Sequence, residues 1–284
     1  MTRKIGGHVS TTGGLNNAIR NTLEIEGNCM QFFAGSPRSW ARRSYSNEEA
    51  DEFLRGIEKN KLSPVFIHAL YLINLATTAD DLLEKSISSL VSDLENGKRI
   101  KSAGVIIHIG SHQGRGFDSI SGQLIKVLEL ILSRTSSTPL ILENDAGQQG
   151  KIGSLEEINF LIDKIRNPRL KVCLDTAHLF EAGFNFTLEL GLQKLIALLT
   201  DLNLSDKLAC IHLNDSATDL DSHRDMHANL GQGKIGMDGL RKIANARYFS
   251  HLPLILEVPG ENKQGPDKEN ILKAQSLISN RLDR

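Results

Sequence analysis

Short apolar segments alternate along the chain with longer segments in which apolar residues recur at helical spacing. Eight short runs, most of them rich in Val, Ile and Leu, are bounded by loop residues and lie at 4–8, 30–33, 65–68, 105–108, 140–143, 172–175, 210–213 and 254–257. Segments with helical periodicity lie between them, at 47–60, 78–101, 119–134, 155–166, 188–199 and 238–246. This pattern predicts eight strands that alternate with helices.

The strand pattern and the length of the chain together favour one fold class. Uncharged strands that alternate with helices are typical of a parallel sheet covered on both faces. Eight such units in 284 residues match the size of an α/β protein of the (β/α)8 TIM-barrel class. A doubly wound open sheet is the alternative, and the strand count alone does not exclude it. No linker, low-complexity segment or block of like charge divides the chain, so we predict a single TIM-barrel domain over residues 1–284.

Composition and charge narrow the range of partners. The sequence has 33 Lys and Arg against 34 Asp and Glu, so no broad basic field is available to hold nucleic acid, and any contact with DNA must be local. Its three cysteines form no C-x-x-C pair, which argues against a disulfide framework and against a cysteine zinc site. The first residues are polar, and no stretch approaches about 18 apolar residues. We therefore expect a cytoplasmic protein that does not bind membranes.

Residues that can bind metal ions lie at the ends of consecutive predicted strands. The third to the eighth strand each end at or beside a histidine or an acid, namely His68, His108, Glu143, Asp175, His212 and Glu257. A barrel gathers the C-terminal ends of its strands around one axis, whereas an open sheet spreads them along an edge. Three further candidates follow in the loops: His178 in D-T-A-H, and Asp225 with His227 in D-M-H. The pattern therefore predicts nine ligands at the C-terminal mouth of a barrel.

Each of these residues has an ordinary structural explanation when taken alone. A histidine at a strand end is usually a hydrogen-bonded core residue, and Asp175 can cap the helix that follows it. Together the nine favour a metal centre, since nitrogen and oxygen ligands without thiolates suit zinc or a similar divalent ion. One ion needs three or four ligands, so nine predict two or three ions with a bridging carboxylate, for which Glu143 is the candidate. We expect Cys173 and Cys210 to be apolar packing beneath the ions, and His8, His112 and Asn144 to support the ligands.

The common nucleotide-binding and serine-hydrolase motifs are either absent from the sequence or lie in the wrong context. The segment 231–236 matches G-x-G-x-x-G, but it follows a polar stretch where a dinucleotide-binding fold requires a buried strand. The sequence contains neither a P-loop nor a G-x-S-x-G elbow. We therefore predict neither Rossmann-type nor serine-hydrolase chemistry.

At the level of motifs the sequence resembles the endonuclease IV family, from residue 5 to about residue 275. The resemblance is carried by I-G-G-H-V-S-T-T-G-G-L at 5–15, S-P-R-S-W at 36–40, H-A-L-Y-L-I-N-L-A at 68–76, V-C-L-D-T-A-H at 172–178, H-L-N-D-S at 212–216, D-M-H at 225–227 and L-G-Q-G at 230–233. All nine metal positions of that family are occupied here by matching types of ligand.

The resemblance implies a chemistry and a grouping of the ligands. It implies three zinc ions, with manganese as an alternative at one site, bound by the sets His68, His108 and Glu143; Glu143, Asp175, His212 and Glu257; and His178, Asp225 and His227. It also implies hydrolysis of the phosphodiester 5′ to an abasic site in double-stranded DNA, which leaves a 3′-hydroxyl and a 5′-deoxyribose phosphate, and it suggests 3′-end cleaning. Glu257 is the candidate for orienting or deprotonating the attacking water, and Glu143 for holding two ions together.

Positions that differ from the family lie on the expected DNA side. Basic residues common in the family are replaced at Gly35, Ala217 and Met226, which puts DNA affinity in question. Arg38, Tyr71 and Leu72 match the family at positions that are expected to enter or contact the DNA duplex. We expect a monomer with no obligate protein partner. The alternatives are a xylose-isomerase-like sugar isomerase or epimerase, a non-catalytic binder of damaged DNA, and a metal phosphatase acting on a small substrate.

Overall fold

Eight parallel strands close into a barrel in this computed structural model, which describes residues 3–278. Each strand pairs with its neighbours in the sequence, and the last pairs with the first through Leu254 and Ile5. The strands are β1 Ile5–His8, β2 Cys29–Phe33, β3 Val65–His68, β4 Gly104–Ile107, β5 Leu140–Glu143, β6 Leu170–Asp175, β7 Leu208–His212 and β8 Leu254–Leu256. The predicted TIM barrel is confirmed, and the open sheet is wrong. The single domain over residues 1–284 stays a prediction.

Helices surround the barrel and occupy every segment predicted to be helical. They are α1 Asn17–Glu24, α2 Asn47–Lys59, α3 Asp80–Arg99, α4 Phe117–Arg134, α5 Leu155–Ile165, α6 Thr176–Glu181, α7 Glu189–Asp201, α8 Gly236–Asn245, a 3-10 turn Arg247–Phe249 and α9 Lys268–Leu277. The short helices α1 and α9 are missing from the prediction because their apolar positions are few. Among the helices of residues 3–278, none combines the length and apolar composition that crossing a bilayer requires.

Local sequence signals fix where two of the helices begin. Ser46 and Ser154 cap α2 and α5, and each hydroxyl accepts from the backbone N–H three residues later. The acids at those positions, Glu49 and Glu157, accept in return from the backbone of the capping serines. These reciprocal capping boxes satisfy N–H groups that a helix start leaves unpaired.

Two short antiparallel ribbons lie beyond the C-terminal ends of the strands. Gly110–Ser111 pairs with Lys151–Ile152, and Asp215–Ser216 pairs with His227–Ala228. Such two-residue pairings leave no periodic pattern in a sequence, so they were not predicted. The second ribbon returns the long loop after β7 to the barrel and thereby places residues 225–227 over its mouth.

The barrel interior is filled by an apolar layer beneath the mouth. It contains Cys29, Phe66, Ile106, Ile141, Cys173, Cys210 and Ile255, all nearly or fully buried. Burial raises the pKa of the Cys173 thiol well above its usual range, which favours the neutral group. The environment thus supports the prediction that Cys173 and Cys210 serve as packing.

A buried acid on α3 makes stability depend on pH. Asp93 is 1% exposed, and its Oδ1 has no hydrogen-bond partner within residues 3–278. Burial raises the pKa of Asp93 to about 7, although Arg42 and His68 act in the opposite direction. Because the folded pKa lies above the unfolded one, the stabilisation is complete below about pH 4 and is lost as the pH rises through about 7.

We therefore expect Asp93→Asn to be more stable than the wild type at pH 8.5, by on the order of 2–4 kcal/mol. The difference should shrink toward pH 5, where Asp93 is mostly protonated in the folded state. Urea unfolding of both proteins at the two pH values measures it. A stability difference that stays the same from pH 5 to 8.5 would contradict a titrating Asp93.

Candidate metal centre

The nine predicted ligands converge at the C-terminal mouth of the barrel. They come from the ends of β3 to β8, from α6 and from the ribbon loop after β7: His68, His108, Glu143, Asp175, His178, His212, Asp225, His227 and Glu257. Ligand atoms lie within 4.8 Å of one another in the set His68, His108 and Glu143 and in the set Glu143, Asp175, His212 and Glu257. We call these the first and the second cluster. The geometry thus joins residues that lie far apart in the sequence, such as His68 and Glu257.

Glu143 lies between the first two clusters. Its Oε2 is 3.3 Å from Nε2 of His68 and 3.4 Å from Nε2 of His108. Its other oxygen, Oε1, is 2.8 Å from Nδ1 of His212. The carboxylate is fully buried. One carboxylate facing ligands on both sides is the arrangement that a bridge between two ions requires.

The second cluster is oriented by two polar side chains on the first strands of the barrel. Gln31 Oε1 lies 2.8 Å from Nε2 of His212, which leaves Nδ1 of that ring toward Glu143 and Glu257. Gln31 Nε2 donates to Oε1 of Glu257 at 2.6 Å, and His8 Nδ1 lies 3.2 Å from the same oxygen. The sequence prediction missed Gln31, although it is the one polar residue in the run C-M-Q-F-F.

Asp175 caps the helix that follows it and also faces the second cluster. Its Oδ1 accepts from the backbone N–H of His178 and so caps α6. Its Oδ2 accepts from Nδ2 of Asn214 at 2.6 Å and lies 3.9 Å from Nδ1 of His212. Asn214 in turn accepts from the backbone N–H of Glu257. Capping the helix therefore fixes the carboxylate over the second cluster.

The third cluster consists of His178, Asp225 and His227. Asp225 Oδ1 lies 3.2 Å from Nε2 of His178 and 3.6 Å from Nε2 of His227. The Nδ1 atom of His178 lies 2.9 Å from the carbonyl oxygen of Asn144, so its Nε2 faces the cluster. Asn144, predicted to support the ligands, does so here through its backbone.

Glu181, which the sequence prediction did not include, lies beside the third cluster. It is fully buried, and its ligand atoms lie within 4.8 Å of those of His178 and Asp225. Burial raises its pKa, against hydrogen bonds from Ser216 and from the backbone of Met226. No local signal distinguishes this glutamate in the sequence, because it reads as the last polar residue of a short helix.

Unpaired buried atoms show that the donor set fits a bound cation. Within the described part of the chain, Nε2 of His178, Nε2 of His227, Nδ1 of His108 and Oε2 of Glu181 are buried without a hydrogen-bond partner. Buried polar atoms are rarely left unpaired in folded proteins. Imidazole nitrogens and carboxylate oxygens in this number match the ligands that divalent metal ions prefer.

The clusters are also strongly coupled electrostatically. Burial alone would raise the pKa of Glu143, but His108 and His212 hold it well below its usual range. Burial is likewise outweighed at Glu257 by His212, so that pKa is well below normal too. Asp175 and Asp225 hold the pKa of His178 well above its usual range against burial. The buried carboxylates thus remain negatively charged because they pair with positively charged imidazoles. A bound metal ion would supply the same positive charge in place of the protons on those imidazoles.

A cavity of about 510 Å³ opens over the clusters, and exposed apolar groups stand at its rim. It is lined by Phe33 and Tyr71 as well as by ligands of all three clusters. Tyr71 is 62% exposed although its ring packs 5.2 Å from that of Phe33, and Leu72 is 38% exposed. Arg38 is exposed in the loop after β2. The predicted DNA-contacting residues therefore lie at the same end of the barrel as the clusters.

Cations lie beside two of the positions where family-typical basic residues are replaced. A Cβ atom at Gly35 would lie 2.8 Å from Nη1 of Arg42, so the glycine makes room for that guanidinium. The Met226 sulfur is 3.9 Å from Nη2 of Arg224. Positive charge is therefore retained near these two positions on neighbouring side chains.

The glycine-rich segment 231–236 forms an internal anchor. Its backbone N–H groups donate to the buried carboxylate of Asp215, from Gly231 at 2.9 Å, Gly233 at 3.1 Å and Gly236 at 3.2 Å. The Asp215 carboxylate thus accepts hydrogen bonds from the backbone N–H groups that would bind a phosphate in a nucleotide-binding loop. This contact fixes the loop that follows the Asp215–Ser216 ribbon.

Comparison with known proteins identifies the family. A family model described as a xylose isomerase-like TIM barrel matches residues 19–281. A probable endonuclease 4 from Sulfurihydrogenibium sp. is 36% identical over 277 residues, which cover 96% of this chain and 99% of that protein. The chain belongs to the endonuclease IV family. The crystal structure of endonuclease IV from Thermus thermophilus has a TM-score of 0.84 and 33% identity, covering 96% of this chain and 98% of that one.

More distant structures share only the fold. A D-tagatose 3-epimerase-like protein has a TM-score of 0.70 at 15% identity. At that level of identity the sugar-epimerase alternative gains no support beyond the barrel itself. The predicted endonuclease IV family and the enzyme class that goes with it are confirmed.

Proposed function

We propose that this protein hydrolyses the phosphodiester bond 5′ to abasic sites in double-stranded DNA with the help of three divalent ions, zinc being the expected metal. The products are a 3′-hydroxyl and a 5′-deoxyribose phosphate. The observation that carries the proposal is the convergence of nine nitrogen and oxygen ligands at the mouth of an endonuclease IV barrel. We further propose that the protein acts as a cytoplasmic monomer.

We propose that each of the three clusters holds one ion. His68, His108 and Glu143 would hold one ion; Glu143, Asp175, His212 and Glu257 a second; His178, Asp225 and His227 a third. When bound, such ions lower the pKa of water and neutralise charge on the phosphate and on the leaving oxygen. The sets with two imidazoles and one carboxylate suit zinc, and manganese is the alternative at one of the three sites.

Glu257 is the residue that would activate the attacking water. Gln31 and His8 hold its Oε1, while its Oε2 lies 3.1 Å from Nδ1 of His212 inside the second cluster. A carboxylate held this rigidly orients a water and accepts its proton as the oxygen attacks phosphorus. The bond from phosphorus to the 3′-oxygen breaks, and that oxygen takes up a proton to become the 3′-hydroxyl.

Recognition of the lesion is proposed to rest on the rim and not on overall charge. A duplex that lacks one base loses stacking at that step, so inserting apolar side chains costs less there than in intact DNA. Tyr71 lines the cavity, Leu72 follows it in the chain, and both are exposed; we propose that the exposed Arg38 contacts a phosphate. The same hydrolysis at a 3′-end that carries a blocking group would release that group and leave a 3′-hydroxyl, and we include this activity in the proposal.

We expect the double variant Tyr71→Ala, Leu72→Ala to bind abasic duplex more weakly, with a smaller loss on intact duplex. Both side chains are exposed, so metal content and melting temperature should stay near the wild-type values. Titration of the two duplexes by fluorescence anisotropy gives the comparison. An equal loss on both would indicate general phosphate contacts, and a collapse in stability would place these residues in the core. Leu130→Ala, an exposed leucine on α4, is the matched control.

One assay separates the proposal from the sugar-isomerase and the DNA-binder alternatives. Zinc-loaded protein is incubated with a duplex that carries one abasic analogue, with the intact duplex and with a panel of ketoses and aldoses. Incision of the abasic strand alone, with a 3′-hydroxyl at the cut, supports the proposal. Conversion of a sugar would support an isomerase or epimerase, and binding without a cut would support a damaged-DNA binder.

A further inference from the structure

Glu181 carries a carboxylate oxygen with no assigned partner at the edge of the third cluster. It ends α6, three residues after His178, so the two side chains lie on the same face of the helix. The side chain is fully buried. Its ligand atom lies within 4.8 Å of those of His178 and Asp225.

The two oxygens of this carboxylate have different surroundings. Oε1 accepts from the Ser216 hydroxyl at 2.7 Å, from the Thr218 hydroxyl at 3.3 Å and from the backbone N–H of Met226 at 3.3 Å. These bonds tie the ribbon loop to α6. Oε2 is buried and finds no hydrogen-bond partner among residues 3–278.

A buried, half-paired carboxylate is costly unless its second oxygen also gains a partner. The Nε2 atoms of His178 and His227 are also buried without a hydrogen-bond partner among the described residues, and each faces Oδ1 of Asp225, at 3.2 Å and 3.6 Å. A ligand atom of Glu181 thus lies beside His178 and the carboxylate of Asp225, on the edge of the third cluster. A single cation bound there would give Oε2 of Glu181 the partner that it lacks.

We propose that Glu181 belongs to the third metal site and that its Oε2 binds the ion held by His178, Asp225 and His227, directly or through one water. This inference rests on the proposed three-ion site and adds a residue to it. The site then has two imidazoles and two carboxylates. Added oxygen donors shift a site away from zinc and toward harder ions such as manganese.

The test is Glu181→Gln, which keeps an oxygen to accept from Ser216 and Met226 but removes the negative charge. Each protein is loaded with zinc, dialysed against a graded series of chelator and analysed for metal by mass spectrometry. We expect the third ion to bind about 10–100-fold more weakly in the variant, while the other two are retained. Manganese should lose more affinity than zinc.

A matched variant separates metal binding from loop anchoring. Ser216→Ala removes a donor to Oε1 and leaves Oε2 in place, so the third ion should bind with near wild-type affinity. Cobalt loaded at the third site supplies a second readout, because its visible absorption changes when a ligand changes. We expect the cobalt spectrum to differ from the wild type in Glu181→Gln but not in Ser216→Ala.

Two outcomes would overturn the inference. One is an unchanged third-ion affinity and cobalt spectrum in Glu181→Gln; the other is an equal loss in both variants, which would make Glu181 a loop anchor. Should Glu181→Gln not fold, a structure of the zinc-loaded wild type decides, since Oε2 must lie about 2.0–2.2 Å from the ion or contact its water. A wild type that binds no third ion would instead contradict the proposed three-ion site itself.

Discussion

Replacing Glu257 by glutamine should lower the rate of abasic-site cleavage by about 10²–10⁴-fold, the range that one acid or base contributes to catalysis. The amide has the same shape but cannot accept a proton, and it removes a negative charge 3.1 Å from His212. Binding of the abasic duplex should change little, because Glu257 lies inside the cluster and not at the rim. Single-turnover rates and binding titrations separate the two effects.

Glu261→Gln provides a matched control for this experiment. Glu261 is an exposed acid near the same mouth, and its side chain contacts only Gln232 among the hydrogen bonds found within residues 3–278. The same change of charge there should leave both rate and binding at the wild-type level. If Glu257→Gln cleaved at near the wild-type rate, another residue would have to activate the water.

Removing the imidazole of His227 should cost the protein about one bound ion and most of its activity. His227 Nε2 lies 3.6 Å from Oδ2 of Asp175 and 3.6 Å from Oδ1 of Asp225. Without that ring and its ion, two carboxylates face one another, so the mouth of the barrel should also be destabilised. Metal content by mass spectrometry and melting temperature measure the two consequences of His227→Ala.

The control for His227→Ala comes from the same loop. His223 is exposed, and its Nε2 pairs with Asp221 at 3.3 Å and not with a ligand of the third cluster. His223→Ala should therefore retain the full metal content. An unchanged metal content in His227→Ala would show that D-M-H is an ordinary polar loop.

The barrel and the candidate ligands could be predicted because one short run often contains both the apolar residues of a strand and a metal-binding residue at its end. In the run V-F-I-H, for example, three buried apolar residues precede His68 at the strand end, and the same order recurs in L-I-L-E with Glu143. Closure of the barrel then brings such ends together without further information. The local sequence pattern was therefore sufficient to predict the candidate ligands that lie at strand ends.

The ribbon that positions the predicted ligands Asp225 and His227, and the contacts of Gln31 and Glu181, could not be found in this way. The ribbon between Asp215–Ser216 and His227–Ala228 is too short to leave a pattern, yet it determines where Asp225 and His227 lie. Gln31 becomes meaningful only when β1, β2 and β8 are adjacent and it reaches Glu257. In the sequence Glu181 looks like any other acidic residue at the end of a helix. Only its burial and its oxygen without a hydrogen-bond partner distinguish it in the structure.

The most direct test of the account is to count and locate the ions in the zinc-loaded protein. Metal analysis gives the stoichiometry, and anomalous diffraction at the zinc edge gives the positions. The account predicts three ions per chain at the mouth of the barrel: one among His68, His108 and Glu143, one among Glu143, Asp175, His212 and Glu257, and one among His178, Asp225 and His227. A single ion, or ions bound away from these side chains, would contradict it.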